Sequence, residues 1–379
     1  MNIKNQLYIV FGEEHYNPLG VIRSLGEAGI PVIAIIYKCA LPYIKIASQS
    51  KYISTLHAVD TMEGGYKLLL KKYGDLPNGK KPFLYTCDDY STSYLDQHFN
   101  EIKDKFIFFN CGEQGRLTYY QDKNNINIAA EKQGLNVAES VVVKRGEIPD
   151  GLEYPIITKA INSNEGAWKG DVFICHSEKE LREAYYKIKS HTLLLQKYIE
   201  KKNEYCIDGF SINHGADSFF AIASTYDYIL PDRYSSKMTV TNCMEDDLKR
   251  RLAALLQDIQ FEGIFSIEFL IGPDDKFYFL EVNLRNSTWS YASTKLGMNL
   301  PVLWSKCLLQ GKIDSSIEKK VPDDYHAMVE LSDFKARVIG KKISIFQWLK
   351  EYHNTNCLFY YSKQDPKPFW SAVRTKLFK

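Results

Sequence analysis

"GIFSIEFLIGPDDKFYFLEVNLR", residues 263–285, decides how this chain is read. Two apolar runs flank "GPDD" (272–275), a turn signal that makes the stretch a β-hairpin. With a four-residue loop, Ile271 opposes Lys276 and Glu268 opposes Phe279. Glu281 is then the diagonal neighbour of Glu268 on the same face, ~7–8 Å away at the backbone. Period-two alternation adds Asn283 and Arg285 to that face and sends Ile267, Phe269, Leu280 and Val282 to the core. Two carboxylates held this close destabilise each other unless a proton or a cation lies between them. An all-oxygen set suits Mg²⁺, which takes one or two carboxylates together with substrate phosphates. The hairpin alone is equally compatible with solvated surface acids.

Cations that would meet phosphates lie upstream. Lys159 sits on the expected strand "YPIITKAI" (154–161), flanked on its own face by Ile157 and Ile161. A lysine on an apolar stripe is costly without an anion beside it, and a nucleotide phosphate supplies one. The polar loop "NSNEGAWKG" (162–170) follows, with Gly166 and Gly170, and can fold backbone N–H groups over phosphates. Lys123, after Asp122, opens an expected helix over 122–135. A loop or a helix-start lysine of this kind is a weak signal alone.

The remaining chain reads as α/β and α+β. "LYIVFG" (7–12), "NPLGVIRSLGEAGI" (17–30) and "PVIAIIY" (31–37) make a strand–helix–strand unit. "PFLYTCDDYSTSYL" (82–95) is expected as a third strand with two acids at its end, and "FIFFNC" (106–111) as a fourth. The first turn, "GEEHYNPLG", lacks G-x-G-x-x-G spacing, so a redox dinucleotide site is disfavoured. A Rossmann-like scaffold whose strand ends line a cleft is expected instead. Further on, a capped helix starts at Ser177, strands cover "LLLQKYIE", "EYCIDGFSI", "SFFAIASTY" and "MTVT", an amphipathic helix covers 247–260, and a further helix covers 299–310.

Bulk properties exclude several classes. With 379 residues the chain exceeds what one core usually serves. Lys+Arg number 48 and Asp+Glu 46, giving a formal charge of +2, too small to imply nucleic acid. None of the eight cysteines forms a C-x-x-C pair, so buried, reduced thiols in a cytoplasmic protein are expected. The N-terminus meets acids too early for a signal peptide. No stretch holds the ~18 uninterrupted apolar residues of a membrane span.

In order, "QDK" before a helix, "YPIITKA" before a glycine loop, "LLLQKYIEKKNEY" and the 263–285 hairpin resemble the ATP-grasp superfamily, nearest to its carboxylate–amine ligase branch. That branch includes D-aspartate ligase and related peptide- or glycan-modifying ligases. The resemblance covers roughly 116–310. It implies a Rossmann-like pre-ATP-grasp domain (1–115), an ATP-grasp domain (116–310) with a lid over about 125–195, and a C-terminal extension (311–379). It implies that Lys123, Lys159 and the loop around Gly166 hold ATP phosphates. "QKYI" (196–199) would be the hinge, with Gln196 facing adenine, Tyr198 within the hinge, and the backbones of Lys197 and Ile199 reading the adenine edge. Many relatives have Glu where Gln196 stands. Glu204 would bind the ribose. Glu268, Glu281 and Asn283 would hold two Mg²⁺ ions, with Mn²⁺ able to substitute. Arg285 and Arg233 would grip the acyl phosphate or the substrate carboxylate, and Ser287, Thr288 and Trp289 would line the acceptor side.

The expected activity is ATP-dependent amide formation through an acyl phosphate, joining a small-molecule carboxylate and amine, one of them carried on a glycan or peptide precursor. A uronic acid of a cell-surface glycan precursor as the carboxylate is an alternative that the sequence does not separate. A nucleotide sensor without turnover is a rival of another class, disfavoured by the retained acids. A homodimer is compatible with these features. Residues 311–379, basic and aromatic, are read as a packing tail over the sheet or against a dimer partner. An anionic membrane surface is the alternative.

Overall fold

The structure is a computed structural model that describes residues 3–38, 45–161, 168–230 and 235–377. Strands β1 (Tyr8–Glu13), β2 (Val32–Tyr37), β3 (Ile53–Val59), β4 (Phe83–Thr86) and β5 (Ile107–Phe108) form a parallel sheet in the order β3–β2–β1–β4–β5. Sequence reading finds four of these strands. It misses β3 because no residue of this edge strand is buried, so no hydrophobic pattern marks it. The helix Tyr16–Glu27 buries Leu19, Ile22 and Leu25 on the sheet, the face its spacing predicts.

Strands β6 (Ser140–Lys144), β7 (Ile156–Ala160), β8 (Ile174–Cys175) and β9 (Thr192–Lys197) form a small antiparallel sheet, order β6–β9–β7–β8. The helix Glu178–Tyr185 covers it, and the two share a separate core of Val143, Ile156, Leu181, Leu193 and Leu195. Ser177 caps that helix, accepting from the Glu180 amide at 3.3 Å.

The largest sheet contains β10 (Asn203–Ile212), β11 (Asp217–Tyr226), β12 (Lys237–Thr241), β13 (Gly263–Ile271), β14 (Phe277–Asn283), β15 (His326–Met328) and β16 (Cys357–Leu358), in the order β14–β13–β10–β11–β12–β15–β16. Gly209 interrupts the apolar run of β10 for a steric reason: a Cβ there would collide with the Phe219 carbonyl and the Phe265 ring. Residues 311–377, the described part of the C-terminal extension, are built into this sheet through β15 and β16. They are also tied to the first helix: Arg23, fully buried, binds the Asp365 carboxylate at 3.0 Å and donates to the carbonyls of Phe359, Tyr360 and Asp365. Such a pair holds because nearly every donor of the guanidinium finds an acceptor.

The seven described cysteines are free and six are buried, Cys243 being the exposed one. No helix among the described residues is long and apolar enough to cross a membrane.

Candidate functional site

The hairpin register differs from the expected one in a way that tightens the carboxylate pair. The loop has five residues, since Ile271 pairs with Phe277 and Phe269 with Phe279. A bulge at Leu280 then absorbs one residue, so Glu268 lies directly opposite Glu281, not diagonal to it. Phe279 and Leu280 exchange their expected places. Phe279 is core, with its ring 5.8 Å from that of Phe269, and Leu280 is the half-buried extra residue. The cause lies outside the hairpin. The Phe279 amide donates to the Asn136 carbonyl at 2.7 Å, and Val137 bridges to Phe279, so another segment covers the β14 edge.

Opposite charge gathers around the two acids. The helix Lys123–Lys132 is capped by Asp122, whose carboxylate accepts from the Asn124 and Asn125 amides. The Lys123 amide donates to the Ile161 carbonyl, which fixes the helix start beside the end of β7. From there Lys123 Nζ reaches Glu281 Oε2 at 2.8 Å. The ion pair holds Glu281 below the usual carboxylate range and raises Lys123. Glu268 is pushed well above that range, first by burial and then by the facing Glu281. The Asn283 amide donates to Glu268 Oε1 at 2.8 Å, and Asn283 Oδ1 accepts from Arg285 at 2.9 Å.

Arg285 completes the row, but its two-point fork, expected on substrate, is bound within the protein. Its Nε and Nη2 bind both oxygens of Asp89, at 2.6 and 3.2 Å. Asp89 opens the helix Asp89–Gln97 after the carboxyl end of β4, and its neighbour Asp88 caps that helix through the Ser91 amide. Two acids at a strand end are visible in the sequence. The partner of Asp89, nearly 200 residues away, is not.

Lys159 and Gln196 face each other on the small sheet, Nζ to Oε1 at 2.7 Å. Burial, followed by repulsion from Lys123, lowers the Lys159 ammonium to about 8. In the 196–199 segment the Lys197 amide is taken by the Glu139 carbonyl and the Tyr198 amide by that of Pro155. The Lys197 N–H is therefore not free to read a base edge. The Ile199 amide has no hydrogen-bond partner among the described residues. Glu204, buried on β10, accepts from Lys201 Nζ at 2.7 Å. Gly166 and Arg233 lie outside the described residues.

The row from Lys123 to Arg285 forms one end of a cleft of about 640 Å³. His15, Asn17 and Asp89 line it from the first sheet's strand ends, and Ser287, Thr288 and Trp289 from the turn after β14. That turn is held by Asp208, fully buried on β10, which accepts from Ser287 and Ser290 at 2.6 and 2.7 Å. Burial raises Asp208 to about 6. Alternation along "EYCIDGFSI" puts Asp208 on the face of Glu204, a signal the sequence carries. Ser332, Lys335 and Ala336 also line the cleft, and nothing in their local sequence foretells this.

No protein-family model matches the chain. Over 182 residues it is 26% identical to N5-carboxyaminoimidazole ribonucleotide synthase of Staphylococcus aureus, a stretch that is 45% of this chain and 44% of that protein. The match thus spans less than half the length of this curated relative. Among solved structures, biotin carboxylase from Campylobacter jejuni superposes with a TM-score of 0.65 at 16% identity, covering 86% of this chain and 75% of the other. L-amino acid ligase from Bacillus licheniformis superposes with a TM-score of 0.61 at 12% identity, covering 82% and 76%. Over most of its length the chain thus shares the fold of these solved structures, the ATP-grasp fold that the sequence motifs lead one to expect.

Proposed function

We propose that the chain is an ATP-dependent carboxylate–amine ligase that forms an amide through an acyl phosphate and releases ADP and phosphate. The observation that carries this reading is the direct cross-strand opposition of Glu268 and Glu281 at the end of a cleft where Lys123 and Arg285 also converge. Two relatives were solved with adenine nucleotides: the biotin carboxylase in a β,γ-ATP complex and a carboxyaminoimidazole ribonucleotide synthase with ATP. We assign 1–115 as the pre-ATP-grasp domain, 116–310 as the ATP-grasp domain with its lid at about 125–195, and 311–379 as an extension completing the sheet.

In this reading Lys123, Lys159 and the loop containing Gly166 hold the phosphates of ATP. Gln196, Lys197, Tyr198 and Ile199 hold adenine, and Glu204 the ribose. For Lys197 the contact is through its carbonyl, because its amide is occupied. Glu268, Glu281 and Asn283 would hold Mg²⁺, or Mn²⁺ in its place. Their chemistry fits: all donors are oxygens, and the facing carboxylates repel each other until a cation lies between them. When bound, the metal neutralises charge on the transferring phosphoryl group.

The chain's own groups position the reactants. The Asp89 fork and Asn283 hold the Arg285 guanidinium in place at the cleft, and Nη1, whose one contact is the Asn286 carbonyl at 3.5 Å, is the nitrogen left for a carboxylate or acyl phosphate. Arg233 is the second candidate for that grip. A substrate carboxylate oxygen bonds to the γ-phosphorus as the bond to ADP breaks. The amine nitrogen then bonds to the acyl carbon as phosphate leaves. Ser287, Thr288 and Trp289 line the side from which the amine approaches. Phosphate release measured with Mg-ATP against arrayed carboxylates and amines tests the reading. Release that needs one of each supports the ligase, and release indifferent to any acceptor points to a nucleotide sensor.

A further inference from the structure

The segment from Phe334 to Leu377 contains nine Lys or Arg and only two Asp or Glu, in a chain that is otherwise near balance. Both acids are used internally. Glu351 is held by Arg337 at 2.5 and 3.1 Å, and Asp365 by the buried Arg23. The surface that remains has one sign. Lys341, Lys342 and Lys350 are exposed, and their ammonium groups have no partner among the described residues.

The helix Ile345–His353 in this segment is apolar on two sides. Trp348 faces inward, with Nε1 donating to Asp333 at 2.9 Å and its ring packed on Phe334 and Tyr352. Ile345, Phe346 and Leu349 face outward, and Phe346 is 82% exposed. At about 100° per residue these three fall on one arc, with Lys350 at its border. Ile339, 62% exposed, precedes the helix with Lys341 and Lys342 between. Single exposed apolar side chains need no explanation, whereas a cluster rimmed by one charge sign marks a binding surface.

We propose that this face docks on an anionic lipid bilayer, with Phe346 and Leu349 at the headgroup–acyl boundary and Lys341, Lys342 and Lys350 on lipid phosphates. A second copy of the chain fits poorly. A two-fold interface built on this patch would bring two sets of unpaired lysines of like charge into one contact. The helix has nine residues, so attachment is peripheral and reversible.

Co-sedimentation of the full chain with phosphatidylcholine vesicles, with and without phosphatidylglycerol, tests the proposal. Binding is expected only to the anionic vesicles and should weaken with added salt. The double variant Lys341→Gln/Lys342→Gln should bind about thirty-fold more weakly, and Phe346→Ser/Leu349→Ser should not sediment with vesicles. These side chains are exposed, so an unchanged circular-dichroism melt verifies folding. The proposal is overturned if the wild type does not bind anionic vesicles, if it binds neutral ones equally, or if the Phe346→Ser/Leu349→Ser variant binds as before. It is also overturned by a solution dimer that the same variant dissociates.

Discussion

Of the two facing glutamates, Glu268 is the one whose charge opposes folding, and Glu268→Gln is expected to stabilise the nucleotide-free protein by about 1–3 kcal/mol. Directly opposed cross-strand residues have Cβ atoms ~4.5–5.5 Å apart. Two charges ~6 Å apart repel by roughly 3 kcal/mol at an effective dielectric of ~20. Lys123 and Arg285 recover part of this, and glutamine keeps an acceptor for the Asn283 amide. The sign in pH follows from the raised carboxyl. Stability from this group is full below the ordinary glutamate value of ~4.3 and is lost as pH rises toward the folded value. Urea unfolding from pH 4 to 8 should therefore show a decline in the wild type that is shallower in the variant. Phosphate release should meanwhile drop about 100- to 1,000-fold, since a group serving the transferring charge is gone. Glu281→Gln is the control of opposite sign. It orphans Lys123 and costs about 1 kcal/mol, the small value reflecting a side chain that is 35% exposed. A Glu268→Gln protein less stable than wild type at pH 8, or a Glu281→Gln protein more stable, refutes the assignment of strain to Glu268.

Lys159, with its ammonium lowered to about 8, should bind phosphate well only while protonated. ATP affinity measured by calorimetry should fall by up to about tenfold between pH 8 and 9, with proton uptake on binding, and Lys159→Met should remove the pH dependence. Arg285→Lys keeps the charge but loses the two-point grip on Asp89, so turnover should drop about 100-fold, and Asp89→Asn should give a similar loss. If Arg285→Lys turns over at the wild-type rate, the fork plays no part. Asp365→Ala leaves Arg23 buried without its counter-ion and should cost about 3–5 kcal/mol in urea unfolding. A loss below 1 kcal/mol would show that the three carbonyl acceptors alone hold the guanidinium.

Much of the fold follows from local pattern. Buried runs such as Tyr8–Phe11 and Val32–Tyr37 announce strands, and Leu19, Ile22 and Leu25 announce the helix between them, because burial on one face imposes a period. Where burial is absent, as in β3, the pattern is silent. The site follows the same division. Alternation along one hairpin places Glu268, Glu281, Asn283 and Arg285 on a shared face, and this survives a wrong loop length only because the bulge at Leu280 restores the phase.

What the chain's own order of residues determined is which groups can share a surface: two acids and an amide on a ribbon, a lysine on the strand before a glycine loop, an acid on alternate positions of β10. Side-chain periodicity is a local property, set by backbone geometry within a few residues. What the tertiary structure alone decided is which distant groups meet. Asn136 clasping the β14 edge, Asp89 seizing Arg285, Arg23 anchoring Asp365 and the cleft lining by Ser332, Lys335 and Ala336 all join segments tens to hundreds of positions apart. Such contacts depend on how whole sheets pack, and no window of sequence contains both partners.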